Sequence, residues 1–249
     1  MKKAVYLLLL ILSSIILMVF CYLEFKVQKI PVLTYHGVVD TVLDDNSVDI
    51  SKDYFEKQMK YLYDNGYKTI TMDEFYEWKN GKKRLPRKSI LITFDDGWKN
   101  NYINALPILE KYNFSSCIFV LWGNVNDELY LSLDDLDDII KNHKSMKLYS
   151  HSYALHSKEV ADSNNYNLYN SDIEMVKDIA DSIEYYAYPY GHMNDNYRRA
   201  LKDNGYKLAF TFGPYAFASK DDDDYKIPRY GVFESTPFWK LKLKLALNM

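Results

Sequence analysis

The stretch 90–97, Ile-Leu-Ile-Thr-Phe-Asp-Asp-Gly, constrains the fold of this 249-residue chain more than any other. Its apolar first half predicts a buried strand, and Gly97 predicts the turn that ends it. Asp95 and Asp96 would then lie at the carboxyl end of a core strand, where parallel α/β folds place their chemistry. Because successive side chains of a strand diverge, one carboxylate can bind a metal ion while the other handles a proton. Asp-Gly is also a common turn dipeptide, so this motif alone leaves a plain polar turn as an equal alternative.

Two histidines follow a second strand-like run at residues 146–149. His151 and His156, together with one carboxylate, would form a three-ligand set for Zn²⁺ that leaves one position open for water. On a helix, residues five apart differ by about 140°, so these imidazoles can converge only where a strand end enters a loop. The alternative is a buried core His151 and a surface His156. The chain has only 5 histidines, so the pairing favours a site.

Two further strand ends carry candidate chemistry. Residues 186–191, Tyr-Ala-Tyr-Pro-Tyr-Gly, predict an aromatic strand that enters a turn at Pro189, Tyr190 and Gly191. Residues 30–37, Ile-Pro-Val-Leu-Thr-Tyr-His-Gly, predict a strand whose last side chains include His36. In a barrel, all four strand ends would open onto one face.

In this order and with these residue types, the four segments resemble the polysaccharide deacetylase family, metal-dependent enzymes that remove N- or O-acetyl groups from glycans. The resemblance runs from about residue 30 to about residue 231. The Tyr-His-Gly-Val start, the histidine spacing of five and the Tyr-Pro-Tyr-Gly turn are most similar to the poly-β-1,6-N-acetylglucosamine N-deacetylase branch. The resemblance implies a divalent metal cofactor, with zinc expected ahead of cobalt or nickel, and an acetylated polysaccharide substrate.

The resemblance also implies roles for individual residues. The implied metal ligands are Asp96, His151 and His156, the general base is Asp95, the general acid is His36, and the oxyanion site uses the backbone N–H of Tyr190 between Pro189 and Gly191.

The chain departs from many family members at two places. Ala187 stands where they have an arginine two residues before the proline, and no histidine follows His192, so their late catalytic histidine is missing. The branch named above takes its acid from the N-terminal Tyr-His motif, which this chain retains as His36. We therefore interpret the missing late histidine as a feature of the branch and keep His192 as the reserve candidate for the acid.

The amino terminus predicts a membrane anchor. Residues 4–23 are almost entirely apolar, and twenty helical residues span about 30 Å, the thickness of a bilayer core. A cleaved signal peptide is the alternative, but the segment offers no small-residue cleavage site. Lys2 and Lys3 favour the cytoplasm. We expect a single-pass signal anchor over residues 1–25 of a bacterial cell-membrane protein, with the catalytic domain at 26–249 outside the cytoplasm.

Strand-like and helical patterns alternate along the remainder, which predicts a mostly parallel sheet in one α/β domain. Chemistry at strand ends favours a barrel, and the family resemblance implies a distorted, incomplete (β/α) barrel. The net charge is −3 without a long basic run, so nucleic acid is not an expected partner. The tail at 238–245 alternates lysine with leucine and is compatible with an edge strand, a frayed terminus or a segment on an anionic membrane surface.

These features predict a hydrolase that removes N-acetyl groups from a cell-surface polysaccharide, with poly-β-1,6-N-acetylglucosamine as the first expectation. Peptidoglycan N-acetylglucosamine or an O-acetyl ester are alternative substrates, because the motifs form the acetyl pocket and not the glycan groove. A membrane-tethered glycan-binding protein without catalysis is the alternative from another class. The oligomeric state stays open.

Overall fold

The computed structural model describes residues 2–43, 48–177, 179, 184–213 and 217–247; within helices, the side chains at 4, 21–27, 161 and 247 lie outside the described set. The strands are β1 (Val32–Tyr35), β2 (Val38–Val39), β3 (Ile50–Ser51), β4 (Lys68–Thr69), β5 (Ser89–Phe94), β6 (Ser116–Val120), β7 (Met146–Ser150), β8 (Tyr185–Ala187), β9 (Leu208–Phe210) and β10 (Tyr230–Gly231). The α-helices are α1 (Lys2–Val27), α2 (Lys52–Asp64), α3 (Met72–Lys79), α4 (Leu106–Lys111), α5 (Leu133–Asn142), α6 (Lys158–Ala161), α7 (Tyr166–Lys177), α8 (Asp195–Asp203) and α9 (Phe238–Leu247). A π-helical turn, Asn101–Ala105, precedes α4.

The main sheet runs in the order β10-β1-β5-β6-β7-β8-β9, with β4 paired to the start of β5, and its neighbouring strands are parallel. Its two edges are bridged by the segment 227–231. Ile227 donates to the Ala209 carbonyl at 3.0 Å beside β9, while β10 pairs with β1 and Val232 donates to the Thr34 carbonyl at 2.9 Å. The sheet therefore curls into an incomplete barrel whose edge strands β9 and β10 are linked by a short irregular segment, and the predicted (β/α) architecture is confirmed.

Helices begin and end where the local sequence supplies caps. Ser51 accepts the N–H of Tyr54 at 3.4 Å at the start of α2, and Thr71 forms a capping box with Glu74 at the start of α3. Gly66, just after α2, has a φ of 73°, a left-handed conformation that glycine adopts without steric cost. These local signals allow each helix to return the chain to the start of the next strand.

The two faces of the sheet bury different clusters. Leu91 and Phe119 point inward and pack with Phe75 of α3, which fills the barrel interior. Ile92 points outward and packs with Phe55 of α2. Fully burying side chains of this size contributes about 1.5–3 kcal/mol each. Because side chains alternate along a strand, the inward set of β5 continues beyond Leu91 into the polar residues at the strand's carboxyl end.

The amino-terminal helix α1 covers most of the predicted anchor, 1–25. Its large apolar side chains between residues 5 and 20 are 46–67% exposed. Among the residues that the structure describes, no helix combines the length and hydropathy required to cross a bilayer. Met1 and the side chains at 4 and 21–25 lie outside the described residues. The membrane-spanning part of the fold prediction is therefore not supported.

Candidate active site

The two adjacent aspartates leave the end of β5 in different directions. The backbone N–H of Asp95 still bonds to the Tyr35 carbonyl of the neighbouring strand at 3.0 Å, so this residue continues the strand register. Asp96 has a φ of 72°, in the left-handed region, and turns the chain. Both side chains are buried, at 3% and 5% exposure. The strand end thus presents two carboxylates in separate positions, as the sequence predicts.

His151 and His156 converge on the second of these carboxylates. Nε2 of His151 lies 3.4 Å from Asp96 Oδ1, and Nε2 of His156 lies 3.0 Å from the same atom. One ligand atom from each of the three residues lies within 4.8 Å of the others. His151 follows β7 directly and His156 is brought back by the loop, as expected for a spacing that no helix could bring together.

The donor set fits a divalent cation. His151 donates its Nδ1–H to the Ala187 carbonyl at 2.8 Å, and since a carbonyl only accepts, a neutral ring presents the Nε2 lone pair to the site. Burial lowers the pKa of His151, which favours that neutral ring. Burial opposes ionisation of Asp96, but the imidazoles outweigh it and hold the pKa of Asp96 below its usual range. Asp96 Oδ1 is buried and accepts no hydrogen bond of normal geometry, which leaves an electron-rich cluster that a cation would satisfy.

The other oxygen of Asp96 is held by Trp98. The indole N–H donates to Asp96 Oδ2 at 3.0 Å, and the indole stacks on Tyr130 with ring centroids 4.4 Å apart and an interplanar angle of 23°. This contact orients the carboxylate so that Oδ1 faces the imidazoles. Trp98 was not predicted as a site residue, although its indole directly after the Asp-Asp-Gly motif is a signal for such a contact.

The first carboxylate, Asp95, is paired with an arginine that was not predicted as a site residue. Arg229 is fully buried on the closing segment and donates to both oxygens of Asp95, at 2.6 and 2.8 Å. Its Nε donates to the Thr211 carbonyl at 3.1 Å, and its guanidinium lies 5.3 Å from the Phe119 ring centroid. Burial opposes ionisation of Asp95, but Arg229 and then His151 outweigh it and lower the pKa of Asp95.

The pairing of Arg229 with Asp95 bears on Ala187, which stands where many family members have an arginine. Arg229, which directly precedes β10, donates to both oxygens of Asp95, so Ala187 does not leave this carboxylate unpaired. A single arginine inside the otherwise apolar and aromatic run at 227–233 was the available signal.

His36 lies at the end of β1 on the same side of the barrel. Tyr35 pairs with Phe94 across β1 and β5, so His36 follows β1 beside the point where Asp95 and Asp96 follow β5. Its ring packs between Phe212 and Phe233, with centroids 6.2 and 6.3 Å away. Within the described ranges, its buried Nδ1 has no hydrogen-bond partner. The position agrees with the predicted acid, whose role stays a prediction.

The turn Pro189–Gly191 lies over His156. Tyr190 has a φ of 57°, its ring centroid is 4.9 Å from that of His156, and its hydroxyl donates to the His156 carbonyl at 3.3 Å. Gly191 has a φ of 70°, and a Cβ there would lie 2.4 Å from the backbone nitrogen of Phe212. Buried Pro189 and close-packed Gly191 thus place the Tyr190 backbone beside the candidate ligands; its predicted oxyanion role stays a prediction.

The reserve acid, His192, is engaged elsewhere. Its Nδ1 lies 2.6 Å from Asp162 Oδ1, in a hydrogen bond between side chains that are 36% and 54% exposed. The structure therefore brings the predicted site residues of the four strand ends to one face of the barrel and leaves His192 in a surface contact. This arrangement favours His36 over His192 as the general acid.

A parallel (β/α) barrel with a carboxylate and two imidazoles beside an arginine-paired carboxylate defines an enzyme with a candidate metal centre at the carboxyl ends of its strands. Residues 82–209 match the model of the family described as Polysaccharide deacetylase. The chain belongs to the polysaccharide deacetylase family.

Individual relatives agree with this assignment. The chain is 30% identical over 242 residues to the poly-beta-1,6-N-acetyl-D-glucosamine N-deacetylase of Staphylococcus aureus (strain MSSA476), covering 83% of this chain and 80% of the relative. It resembles the crystal structure of BC0361, a polysaccharide deacetylase from Bacillus cereus, with a TM-score of 0.72, 28% identity, and coverage of 88% of this chain and 69% of the other. The Streptococcus pyogenes deacetylase PplD in complex with acetate shares the fold, with a TM-score of 0.79, 22% identity, and coverage of 87% and 98%. The predicted family and the prediction of a deacetylase enzyme are confirmed.

Proposed function

We propose that this chain is a metal-dependent N-deacetylase of a cell-surface polysaccharide, with poly-β-1,6-N-acetylglucosamine as its substrate. The observation that carries the proposal is the convergence of Asp96, His151 and His156 beside the arginine-paired Asp95. The named activity of the S. aureus relative supports the choice of glycan. The Tyr-His start at His36 and the histidine spacing of five support it independently.

The candidate metal centre would supply the nucleophile. Asp96, His151 and His156 would hold a divalent ion, which would lower the pKa of a bound water toward about 7 and polarise the acetamide carbonyl. Zinc is the first candidate because a carboxylate and two imidazoles suit it, with cobalt or nickel as alternatives.

Asp95 would act as general base. It is inward-facing, buried and held ionised by Arg229, so it can orient the attacking water and accept its proton when water adds to the acetamide carbonyl. Arg229 uses one lone pair of each carboxylate oxygen, and the remaining lone pairs are available to water. The ion pair thus fixes the direction in which the proton leaves.

The residues after β8 and β1 would supply the oxyanion donor and the general acid. The Tyr190 backbone N–H would donate to the developing oxyanion, because the Pro189–Gly191 turn sets it beside His156. His36, which follows β1 beside the end of β5, would protonate the amine so that it leaves in a neutral form.

Acetate release from defined oligosaccharides tests this function. The full-length protein, purified in detergent and loaded with Zn²⁺, Co²⁺ or Ni²⁺, is supplied with β-1,6-linked N-acetylglucosamine oligomers, β-1,4-linked oligomers or an O-acetyl ester. We expect release chiefly from the β-1,6-linked oligomers and its loss on chelation, with Asp96→Asn as the inactive control. Preferential release from another substrate would reassign the glycan, and no release from any substrate by the metal-loaded protein would refute catalysis.

We also propose that α1 tethers the protein to the bacterial cell membrane, with the catalytic domain outside the cytoplasm. The apolar run at 4–23 and the exposed side chains of α1 support this location. The full-length protein should fractionate with membranes, and protease added to intact protoplasts should digest residues beyond about position 26. Recovery of a shortened, secreted form would refute the anchor and support a cleaved signal peptide.

A further inference from the structure

The loop between the two histidines is held by a carboxylate from outside it. Asp172, on α7, accepts the N–H of Tyr153 on Oδ2 at 2.9 Å and the N–H of Ala154 on Oδ1 at 2.8 Å. The two amides are consecutive, so one side chain orients two adjacent peptide groups. Asp172 is only 5% exposed, and water therefore competes little for these bonds.

This loop has a backbone conformation that needs support. Ser152 has a φ of 91°, which is unfavourable for a residue other than glycine and persists only where the surroundings determine it. Trp122 donates to the Ser152 carbonyl at 3.1 Å, and Gly123 donates to the Tyr153 carbonyl at 2.8 Å. The loop carbonyls are thus held from one side, and Asp172 holds the amides from the other.

The chemistry of the contact requires a carboxylate. An ionised carboxylate only accepts hydrogen bonds, whereas an asparagine would turn an NH₂ group toward one of the two amide N–H groups. Burial raises the pKa of Asp172 while the two amides oppose that rise, and no ion pair of Asp172 occurs in the part of the chain that the structure describes. A buried, cation-free carboxylate is costly, so its retention here is explained by the two amides that it binds.

The two histidines depend on this loop to different degrees. His151 is fixed independently, because its backbone N–H donates to the Val120 carbonyl at 2.9 Å and its ring donates to the Ala187 carbonyl at 2.8 Å. His156 follows Ala154 by two residues, beyond the amides that Asp172 binds. The hydrogen bonds that Asp172 accepts therefore control the position of His156 and not that of His151.

We propose that Asp172 is a positioning residue: by clamping the Tyr153 and Ala154 amides it places the His156 Nε2 opposite Asp96 and thereby sets the affinity of the metal centre. The inference rests on the proposed metal-dependent function. It extends the site to α7, a helix that contributes no ligand.

Metal affinity of the full-length protein tests this inference. The dissociation constants of Zn²⁺ and Co²⁺ are measured by competition with a chromophoric chelator for wild type and Asp172→Asn. Loss of an outer partner of a metal ligand should weaken binding about 10–100-fold and change the Co²⁺ absorption spectrum. Asp203→Asn is the matched control, because Asp203 is an exposed carboxylate that accepts the Tyr166 hydroxyl at 2.8 Å; its metal affinity should equal that of wild type.

A double-mutant cycle separates positioning from general stabilisation. If Asp172 acts through His156, Asp172→Asn should lower the metal affinity of His156→Ala only a little further. In His151→Ala, the same substitution should lower the metal affinity by as much as it does in wild type. Equal losses in both backgrounds, or wild-type affinity with only a lower urea midpoint of the apo protein, would overturn the inference.

Should Asp172→Asn fail to fold, Asp172→Glu provides a second test. It keeps the charge but displaces the carboxylate, so it should weaken metal binding in the same way. Wild-type metal affinity of Asp172→Glu would also overturn the inference. Wild-type protein that binds no divalent ion would instead refute the proposed function.

Discussion

Arg229 and Asp95 are joined by two hydrogen bonds, of 2.6 and 2.8 Å, although 134 residues separate them in the chain. Both are buried, so the attraction is little screened by water. The pair holds Asp95 ionised throughout the neutral range and fixes the plane of its carboxylate. A base with a lowered pKa takes a proton reluctantly, and its orientation toward the attacking water is therefore as important as its basicity.

Arg229→Lys tests this pairing. Lysine keeps the positive charge but cannot donate to both carboxylate oxygens, so the pKa of Asp95 should rise and its plane should be less fixed. We expect kcat/KM to fall by roughly 10²-fold or more, and the acidic limb of the pH–rate profile to move to higher pH. Arg198→Lys, at a partly exposed pair with Asp223, is the control and should leave the profile unchanged. A wild-type acidic limb in Arg229→Lys would contradict the role of the pair.

Substitutions of Asp95 and Asp96 should impair the enzyme in different ways. Asp95→Asn should retain stoichiometric metal yet lose about 10²–10⁴-fold in kcat, because it removes the base but no metal ligand. Asp96→Asn should lose metal affinity as well, since its Oδ1 is the atom that both imidazoles face. Metal content of the dialysed proteins by elemental analysis distinguishes them. Equal metal loss in both variants would mean that the two roles are assigned wrongly.

A surface histidine should make stability depend on pH. His143 lies 2.6 Å from Glu110 and 3.1 Å from Asp138, and the Glu110 hydrogen bond, opposed by burial, raises its pKa. A raised folded-state pKa means that the contribution is fully present below the unfolded value, near 6.5, and is lost as pH rises through the folded value. Since the pair is largely solvated, it should be worth less than about 1 kcal/mol.

Urea unfolding of His143→Gln measures this contribution. The difference in unfolding free energy from wild type should be larger near about pH 5.5 than near about pH 8.5. Lys141→Gln breaks a surface pair with Asp137 that does not titrate in this interval, so its effect should be the same at both values. A pH-independent effect of His143→Gln would show that the ion pair contributes nothing.

Much of the site could be predicted because its signals are local. Asp95, Asp96 and His36 each follow an apolar run that predicts a strand end, and parallel strands in one sheet bring such ends together. The contact between Arg229 and Asp95 could not be read in this way, because it depends on how the segment 227–231 closes the sheet between β9 and β1. Asp172 could not be predicted either, because a single carboxylate on an amphipathic helix has the sequence pattern of a solvated residue.

The carboxyl-terminal tail shows how a local pattern can mislead. Lysine and leucine alternate from residue 240, which is the period of a strand, yet the segment is helix α9. Leu241 and Leu245 are each 1% exposed, whereas Leu243 is 50% exposed. Residues four apart share a face of a helix, so the buried pair follows the helical period and the edge-strand alternative is wrong.

His36 is the residue on which the departure of this chain from many family members depends. No histidine follows His192, and His192 itself is paired with Asp162 at the rim, so an active enzyme needs its acid elsewhere. His36 follows β1 beside the end of β5, and its Nδ1 has no hydrogen-bond partner among the described residues. His36→Ala should therefore keep its metal and its fold but lose about 10²–10⁴-fold in deacetylation. His192→Ala is the matched control and should retain near-normal turnover; near-normal turnover of His36→Ala beside an inactive His192→Ala would transfer the acid role to His192.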